Sequence, residues 1–271
     1  MTDKKYGFTG KTKVWRGVTL RQIRAVRTIG LLAIGTIGGW IEGEKNLSQV
    51  SGNAWVSDNA QVSGNAWVSD NARVYGNALV SGNAWVSGNA RVYGNAWVSG
   101  DAQVYGDVLV SGDARVYDNV LVSGNARVYD NARVYGNARV YGNARVSGNA
   151  WVYGNAWVSG DAQVYDNAWV SGNAWVSGDA RVYGDVRVYG DVRVSTRIIC
   201  ATRSDGYTFL LALDKNNTLK IIAGCRYFNI EQAREHWRAT RGGTPLGDES
   251  LAIVDHLERM SKSVDLGKVE E

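Results

Sequence analysis

The chain of 271 residues carries a net charge of +4, with 33 glycines and a single proline. Residues 1–49 hold nine Lys and Arg residues against three acidic residues, whereas the central repeat has ten Arg against twelve Asp. This balance argues against duplex DNA as a partner, because DNA-binding surfaces need a concentrated excess of positive charge. The apolar run at residues 28–41 is too short to span a bilayer, so we expect no membrane segment, no membrane partner and a cytoplasmic location.

Residues 1–49 predict a cap for the N-terminal end of the repeat. Apolar and basic side chains alternate from Val18 to Val26 after a turn at Gly17, which predicts a β-hairpin over residues 6–27. We expect this hairpin to lie across the open first turn of the repeat, and residues 28–41 to form that irregular turn. A cap is needed because an uncovered strand edge recruits other chains.

Residues 50–195 repeat one phrase, Val-[Ser/Tyr]-[Gly/Asp]-[Asn/Asp]-[Ala/Val]-x, with Val at every sixth position from Val50 to Val194. A hexapeptide period is typical of a parallel β-helix. Alternation directs Ala and Val inward and x outward, while Gly, Asn and Asp form corners because they tolerate a left-handed backbone. We therefore predict a mainly β chain, a left-handed, three-sided parallel β-helix of about eight coils. The twelve Asp residues are interpreted as corner residues rather than catalytic carboxylates.

If three hexads make one turn, outward residues three hexads apart stack on one face. One face then becomes a ladder of Arg and Tyr, and another carries Trp pairs at its two ends. Because Trp, Tyr and Arg dominate binding hot spots, they predict self-association, with a homotrimer favoured. The alternative is that they only stack on neighbouring rungs and shield the backbone. The predicted interaction surface comprises Arg73, Arg91, Arg127, Arg145, Arg181, Tyr75, Tyr93, Tyr129, Trp67, Trp85, Trp157 and Trp175.

Residues 196–271 break the repeat and predict a small α+β domain. Residues 207–213 and 219–223 should form a hairpin, followed by helices at 230–240 and 247–262. The apolar face of the second helix comprises Leu251, Ile253, Val254 and Leu257.

The two cysteines, Cys200 and Cys225, lie in this C-terminal segment and lack the spacing of a metal site. We expect them to be reduced thiols packed inside the domain. No metal and no cofactor are predicted.

Three N-terminal segments precede the Gly-Asn-Ala-x-Val hexads: Thr19-Leu-Arg-Gln-Ile-Arg-Ala-Val26, Gly38-Gly-Trp-Ile-Glu42 and Asn46-Leu-Ser48. Together with the hexads, they resemble bacterial and phage hexapeptide-repeat β-helix proteins. Some proteins of that kind are labelled acyltransferases, and many phage-borne members have no assigned activity. In this chain, residues 31–37 before Gly38 are more apolar than is usual for these proteins. Three C-terminal segments are Arg203-Ser-Asp-Gly-Tyr-Thr-Phe209, Ala223-Gly-Cys-Arg-Tyr-Phe228 and His236-Trp237. They are similar to a domain appended to such phage proteins, which implies a phage origin.

The resemblance implies acyl transfer as one function. Such enzymes need a His general base and projecting loops, yet the repeat has no His and no insertion, and His236 and His256 lie in the C-terminal segment. We therefore favour a non-enzymatic binding or scaffold protein, with hexapeptide acyl transfer as the alternative.

A small anionic ligand, such as a host signalling nucleotide, or a host defence protein is the expected partner. The candidate ligand-binding residues are Arg203, Asp205, Arg226 and His236, which flank the predicted hairpin and helix. The alternative is that they are surface charges together with one His satisfied inside the core. No catalytic residue is predicted.

Overall fold

The computed structural model describes residues 4–50, 52–195, 199–214, 216–224, 226–264 and 266. The chain divides into two compact units, residues 1–143 and residues 144–271. The domains predicted at 1–49, 50–195 and 196–271 follow the repeat pattern instead, and these boundaries stay a prediction.

The first unit consists almost entirely of short strands. A three-residue 3₁₀ helix, Glu44–Asn46, interrupts them before the regular hexads begin. The strands are Tyr6–Trp15, Val18–Ala25, Ile37–Ile41, Trp55–Val56, Gln61–Val62, Trp67–Val68, Arg73–Val74, Leu79–Val80, Trp85–Val86, Arg91–Val92, Trp97–Val98, Gln103–Val104, Leu109–Val110, Arg115–Val116, Leu121–Val122, Arg127–Val128, Arg133–Val134 and Arg139–Val140.

Each hexad strand pairs in parallel with the strand three hexads further along the chain. In the first unit, three such ladders begin at Trp55, Gln61 and Trp67. The same register recurs in the second unit, where ladders begin at Arg145 and Trp151. The three-sided parallel β-helix and its outward columns are therefore confirmed. The two units contribute about nine turns when the irregular first turn is included.

Small apolar side chains fill the axis of the helix. From Ala54 to Val182, the inward Val and Ala side chains are at most 1% exposed. A fully buried valine contributes about 1.5–3 kcal/mol relative to an exposed one, so the repeated Val is the main apolar contribution of each hexad. The corners turn through positive φ, for example +70° at Gly82.

The first turn is longer than the regular turns. Trp40 pairs in parallel with Gln61, and Leu47 pairs with Val68, so both steps span 21 residues. Residues 37–41 belong to this turn, as expected. The expectation was wrong for residues 28–36, which form a loop outside it, because the backbone of this segment bonds to itself and to Ala25.

The predicted N-terminal hairpin is confirmed. Tyr6–Trp15 and Val18–Ala25 pair antiparallel, and the second strand pairs antiparallel with Ile37–Ile41. Leu20 and Ile23 are fully buried, and the Tyr6 hydroxyl donates to the carbonyl of Leu47 over 2.9 Å. The hairpin therefore supplies both the edge pairing and the apolar cover that the first turn requires.

The second unit continues the hexads and then changes to longer antiparallel strands. Val192–Val194 pairs antiparallel with Thr208–Asp214. Thr208–Asp214 also pairs antiparallel with Ile199–Thr202 and with Leu219–Ala223. Two of the C-terminal strands, Ile199–Thr202 and Arg226–Phe228, escaped the sequence prediction because they are short. The strands are Arg145–Val146, Trp151–Val152, Trp157–Val158, Gln163–Val164, Trp169–Val170, Trp175–Val176, Arg181–Val182, Arg187–Val188, Val192–Val194, Ile199–Thr202, Thr208–Asp214, Leu219–Ala223 and Arg226–Phe228.

Two helices, α1 (Ile230–Arg241) and α2 (Pro245–Ser261), cover this antiparallel sheet and confirm the predicted helices. Asn229 caps α1 by accepting from the Gln232 amide, and Thr244 caps α2 immediately before Pro245. Pro suits the first position of a helix, where its missing N–H removes no hydrogen bond. The shared core of sheet and helices comprises Ile199, Phe209, Leu211, Ile221, Ala223, Ala233, Trp237, Ile253, Val254 and Leu257.

The cysteine prediction was wrong for Cys200, which is a free, exposed thiol on an outer strand rather than a packed one. Cys225 lies outside the described residues.

No helix in the described part of the chain is long and apolar enough to cross a bilayer.

Candidate functional site

Arginine and tyrosine side chains form the first face of the repeat, the column that begins at Trp55. The rings of Tyr75 and Tyr93 stack with centroids 4.8 Å apart and planes within 6° of parallel. Arg73 and Arg91 are exposed on the same column of strands. Burial raises the pKa of Tyr75, and Tyr93 adds to the effect, so the phenol is uncharged at neutral pH.

The same face recurs in the second unit. Tyr165 and Tyr183 stack at 5.3 Å with an interplanar angle of 14°, and Arg145 and Arg181 are exposed on the corresponding column. Each unit therefore presents exposed arginines on the same face as a pair of stacked phenols. The structure aligns the predicted Arg and Tyr residues of this face as expected.

Tryptophans mark the third face, the column that begins at Trp67. Trp85 is 52% exposed, and its indole N–H donates to the Ser69 hydroxyl over 3.5 Å. In the second unit, Trp157 and Trp175 meet edge to face at 5.2 Å. Because the indole of Trp85 is held by a corner serine, the ring is presented to solvent in a defined orientation.

A hollow of about 460 Å³ opens beside Trp85. It lies between Trp85 and Tyr105, which is 42% exposed, and its lining includes Gln103 and Asp70. Two exposed rings beside a carboxamide and a carboxylate can hold a flat polar group. The sequence prediction missed Tyr105 and Gln103, although the hexad spacing places both next to Trp85.

The second face, the column that begins at Gln61, is partly covered by the N-terminal hairpin. Lys13 lies 4.5 Å from the ring centroid of Trp40, and Arg16 at the hairpin tip lies 5.1 Å from that of Trp97. This part of the face is therefore occupied by the chain itself. The predicted interaction surface contains no residue of this face.

A second aromatic and cationic cluster lies in the second unit. Trp151 and Trp169 stack at 5.0 Å with planes within 4°, and the Arg187 guanidinium lies 4.5 Å from the Trp169 centroid. Two hollows, of about 340 and 270 Å³, share Arg187 and Gly224 in their linings. The sequence prediction missed this cluster because Gly224 comes from the C-terminal strands, whose position the repeat does not fix.

The four predicted ligand residues separate into two pairs. Arg203 is only 3% exposed, and its guanidinium donates to both carboxylate oxygens of Asp205, at 2.9 and 2.7 Å, and to Ser250 at 2.9 Å. Its carbon lies 4.9 Å from the Tyr207 ring centroid and 5.5 Å from that of Trp237. The hydrogen bond from Arg203 holds the pKa of Asp205 down at about 2. This buried guanidinium joins the sheet to α2.

The second pair, Arg226 and His236, lies nearer the surface. The His236 ring packs against Phe228 at 5.0 Å and Trp237 at 4.8 Å. Burial lowers the pKa of His236, and the charge of Arg226 lowers it further. Arg226 is exposed, so this pair, unlike Arg203, can reach an anion in solvent. A binding role for all four residues stays a prediction.

Metal chemistry has no evident centre in the described chain, where no three His, Cys, Asp or Glu side chains are grouped to hold an ion.

The family model of the YdcK beta solenoid repeat matches eleven stretches of the chain, and allowing for overlaps these cover more than half of it. They are residues 48–64, 72–88, 84–100, 102–117, 114–130, 126–142, 132–145, 138–154, 144–160, 162–178 and 180–196. No curated protein matches the chain.

Three solved structures illustrate the similarity of fold. The UDP-N-acetylglucosamine acyltransferase of Campylobacter jejuni is 13% identical, with a TM-score of 0.38 and 82% of each chain covered. The Francisella novicida UDP-N-acetylglucosamine acyltransferase is 10% identical, with a TM-score of 0.35 over 80% of this chain and 87% of that one. A hexapeptide transferase family protein from Anaplasma phagocytophilum is 10% identical, with a TM-score of 0.21 over 92% of this chain and 95% of that one. Similarity at this level assigns no function.

Proposed function

The chain belongs to the YdcK beta solenoid repeat family, and we propose that it is a non-enzymatic binding and scaffold protein, because its hexads contain neither a His general base nor an inserted loop. It self-associates through the outer faces of the repeat. The resemblance to phage hexapeptide proteins supports a phage origin, and the partner is then a host molecule.

The observation that carries this proposal is the alignment of Arg and Tyr on the first face. Their strands pair in one register, which places Arg73, Arg91 and Arg127 in one column, with Leu109 between Arg91 and Arg127. Because the backbone beneath these side chains is held in the sheet, association through the row requires no ordering of the backbone. Arg and Tyr are also the residue types in which interface hot spots are enriched.

A homotrimer is the assembly that we favour. The repeat is three-sided, and the hairpin covers only part of its second face, at Trp40 and Trp97. In the first unit, Trp55 at the start of the first face is buried, but Arg73 and Arg91 on that face and Trp85 on the third face are exposed. Two different open faces on each copy fit a ring in which the first face of one copy meets the third face of the next.

Reversing charge on the first face tests this assembly. We expect Arg91→Glu combined with Arg127→Glu to raise the dissociation constant of the oligomer at least about tenfold, because buried hot-spot residues contribute about 2 kcal/mol or more. Mass photometry across a protein dilution series measures the change.

The matched control is Arg115→Glu combined with Arg133→Glu, which reverses the same charge on the second face. The proposal fails if the wild-type chain is monomeric throughout the series, or if the two double variants weaken assembly equally.

The finer proposal concerns a small anionic ligand, such as a host signalling nucleotide, at Arg226 and His236. Binding of an anion beside His236 raises the imidazole pKa, since negative charge stabilises the protonated ring. Arg226→Ala should also raise the His236 pKa, because it removes a repelling cation, and it should abolish the response to anions while leaving the oligomer intact.

The probes are inorganic phosphate and a panel of nucleotides, and the readout is the pH titration of both imidazoles by NMR. His256 on α2 is the internal control. If neither phosphate nor any nucleotide shifts the His236 titration, the anion site is rejected. If wild type and Arg226→Ala capture a host defence protein equally well, that partner binds to the faces of the repeat and not at Arg226.

The alternative function, acyl transfer, is tested by a separate assay. An acyltransferase incubated with acyl-coenzyme A and amine acceptors releases free coenzyme A, which a thiol reagent detects. Sustained release that depends on His236 or His256 would overturn the non-enzymatic proposal.

A further inference from the structure

An exposed apolar loop joins the strands Val18–Ala25 and Ile37–Ile41 at the N-terminal end of the first unit. Leu31 is 95% exposed, Ile34 68%, Ile37 53% and Val26 43%. Isolated exposed apolar residues are common, but here three large aliphatic side chains of one short loop and the first residue of the next strand are all exposed, a concentration that is typical of a contact surface.

The loop holds these side chains outward by its own hydrogen bonds. Ile29 and Leu32 exchange both backbone bonds, at 3.1 and 3.0 Å, and the amide of Gly35 donates to Ala25 over 2.9 Å. Ile29 is only 2% exposed and anchors the loop to the cap. Leu31 and Ile34 are therefore presented to solvent from an ordered backbone.

Two exposed arginines lie on the strand that leads into the loop. Exposed Arg24 is the register partner of Ile37, at the base of the loop, and exposed Arg21 precedes it on the same strand. Residues 1–49 contain nine Lys and Arg residues against three acidic residues. The patch is thus apolar at its tip and cationic around its base, which complements a surface that is apolar inside and anionic outside.

The size and charge of the patch indicate which kind of partner it binds: another protein, a second copy of the chain or a lipid surface. Four aliphatic side chains expose a few hundred Å², less than the roughly 800 Å² per partner of a stable protein interface. Two copies meeting at this patch would also bring their arginines together. Neither limit applies to a lipid surface, where shallow insertion of a few aliphatic side chains and nearby basic residues add up.

We propose that the loop of residues 26–37 binds an anionic lipid bilayer. Leu31 and Ile34 insert into the boundary between headgroups and acyl chains, while Arg21 and Arg24 pair with the headgroup phosphates and carboxylates. This binding does not depend on the outer faces of the repeat, so it can hold whether or not the chain self-associates.

Vesicle sedimentation tests the proposal with the full chain. Phosphatidylcholine vesicles with and without phosphatidylserine are compared at about 0.1 M salt, where the Debye length is about 10 Å. We expect at least about tenfold tighter binding to the phosphatidylserine vesicles, weakening as salt is raised. Leu31→Ser combined with Ile34→Ser should reduce that binding at least about tenfold, and Arg24→Gln should reduce it several-fold.

The matched control is Val14→Ser, which alters an aliphatic side chain that is 72% exposed on the hairpin but outside the loop. It should bind vesicles as wild type does, and far-UV circular dichroism should show every variant folded. Absence of wild-type binding, equal binding to neutral vesicles, or equal losses in Val14→Ser and the loop variant would each overturn the proposal.

Mass photometry without vesicles separates the competing occupant. If the Leu31 and Ile34 variant dissociates an oligomer that Arg91→Glu with Arg127→Glu leaves intact, the loop is a contact between copies and the lipid proposal is wrong. If only the first-face variant dissociates the oligomer, self-association stands regardless of the vesicle result.

Discussion

Two kinds of residue share the corner at which the backbone turns left-handed. Gly82 has φ of +70°, and an added Cβ there would lie 2.9 Å from the backbone nitrogen of Gly100 in the next turn. Asp58 and Asp70 occupy equivalent corners with φ of 56° and 57°. The carboxylate of Asp70 accepts the amide of Gly88 in the next turn over 3.0 Å, which offsets the strain of its own conformation.

Asp70 therefore adopts the corner conformation and also stabilises the next turn through its side-chain hydrogen bond. We expect Asp70→Ala to lower the free energy of unfolding by about 2 kcal/mol, because alanine keeps the strained conformation and loses the hydrogen bond. Asp70→Gly should cost less than about 1 kcal/mol, since it loses the bond but relieves the strain. Urea unfolding monitored by circular dichroism compares the two, and equal losses would contradict this role.

Asp at the following corner position has a different role. Asn side chains form ladders in which each amide donates to the Asn in the next turn, as from Asn71 to Asn89 over 3.2 Å. Asn89 then donates to Asp107 over 2.8 Å, and a carboxylate has no proton to pass on. The interpretation of Asp as a corner residue thus covers two positions, one that replaces Gly and one that ends an Asn ladder.

At the scale of elements, the hairpin decides what the N-terminal end exposes. Its second strand buries Leu20 and Ile23 completely, while its tip carries Arg16 to the ring of Trp97. The hairpin therefore covers both the open end and part of one face. The loop that follows the hairpin leaves Leu31 in solvent. The hairpin therefore forms the cap, and the loop after it forms the exposed apolar patch.

Ile23→Ala tests the cap. We expect the free energy of unfolding to fall by about 2–4 kcal/mol, because the substitution leaves a cavity at a fully buried position. Amide exchange should rise in Ile37–Ile41 and in the first hexads, but not in Thr208–Asp214. Val14→Ala on the exposed side of the same hairpin is the control, and an equal rise in exchange for both variants would count against the cap.

At the scale of the whole molecule, the constant register makes turns interchangeable. Within each unit, a regular hexad strand pairs with the strand 18 residues on, as Gln61 does with Leu79, and the corner side chains of Asn65 and Asn83 follow the same spacing. The stability of such an array is approximately a sum of contributions from single turns and from contacts between neighbouring turns. One turn more or less should therefore change the length of the repeat and leave its fold intact.

Deleting residues 103–120 removes one complete turn and restores every column, so we expect a folded chain whose melting temperature falls by less than about 10 °C. Deleting residues 102–120 removes one residue more and places Leu121 at an inward position. That slip turns the following Val side chains outward and should prevent folding. Thermal unfolding followed by circular dichroism distinguishes the two deletions, and similar melting of both would refute the register argument.

The sequence by itself determined the repeat, because the residues of each hexad specify both its inward side chains and its corner. Alternation in Ala-x-Val fixes what faces inward, and a Gly or Asp with φ above zero fixes each corner, as at Gly82 and Asp58. These are local properties, and a strict period adds the contacts between turns. The outward columns, the N-terminal hairpin and both C-terminal helices could be predicted for the same reason.

Only the tertiary structure decided what the non-repeating segments contact. No period relates Arg16 to Trp97, Arg203 to Ser250 or Gly224 to Arg187, so these pairs depend on how separate elements pack. The exposure of Leu31 follows from hydrogen bonds that hold its loop away from the first turn, whereas the sequence prediction placed these residues in that turn. Apolar composition indicates a preference for contact, and the backbone geometry around it determines whether that contact is made within the chain or offered to a partner.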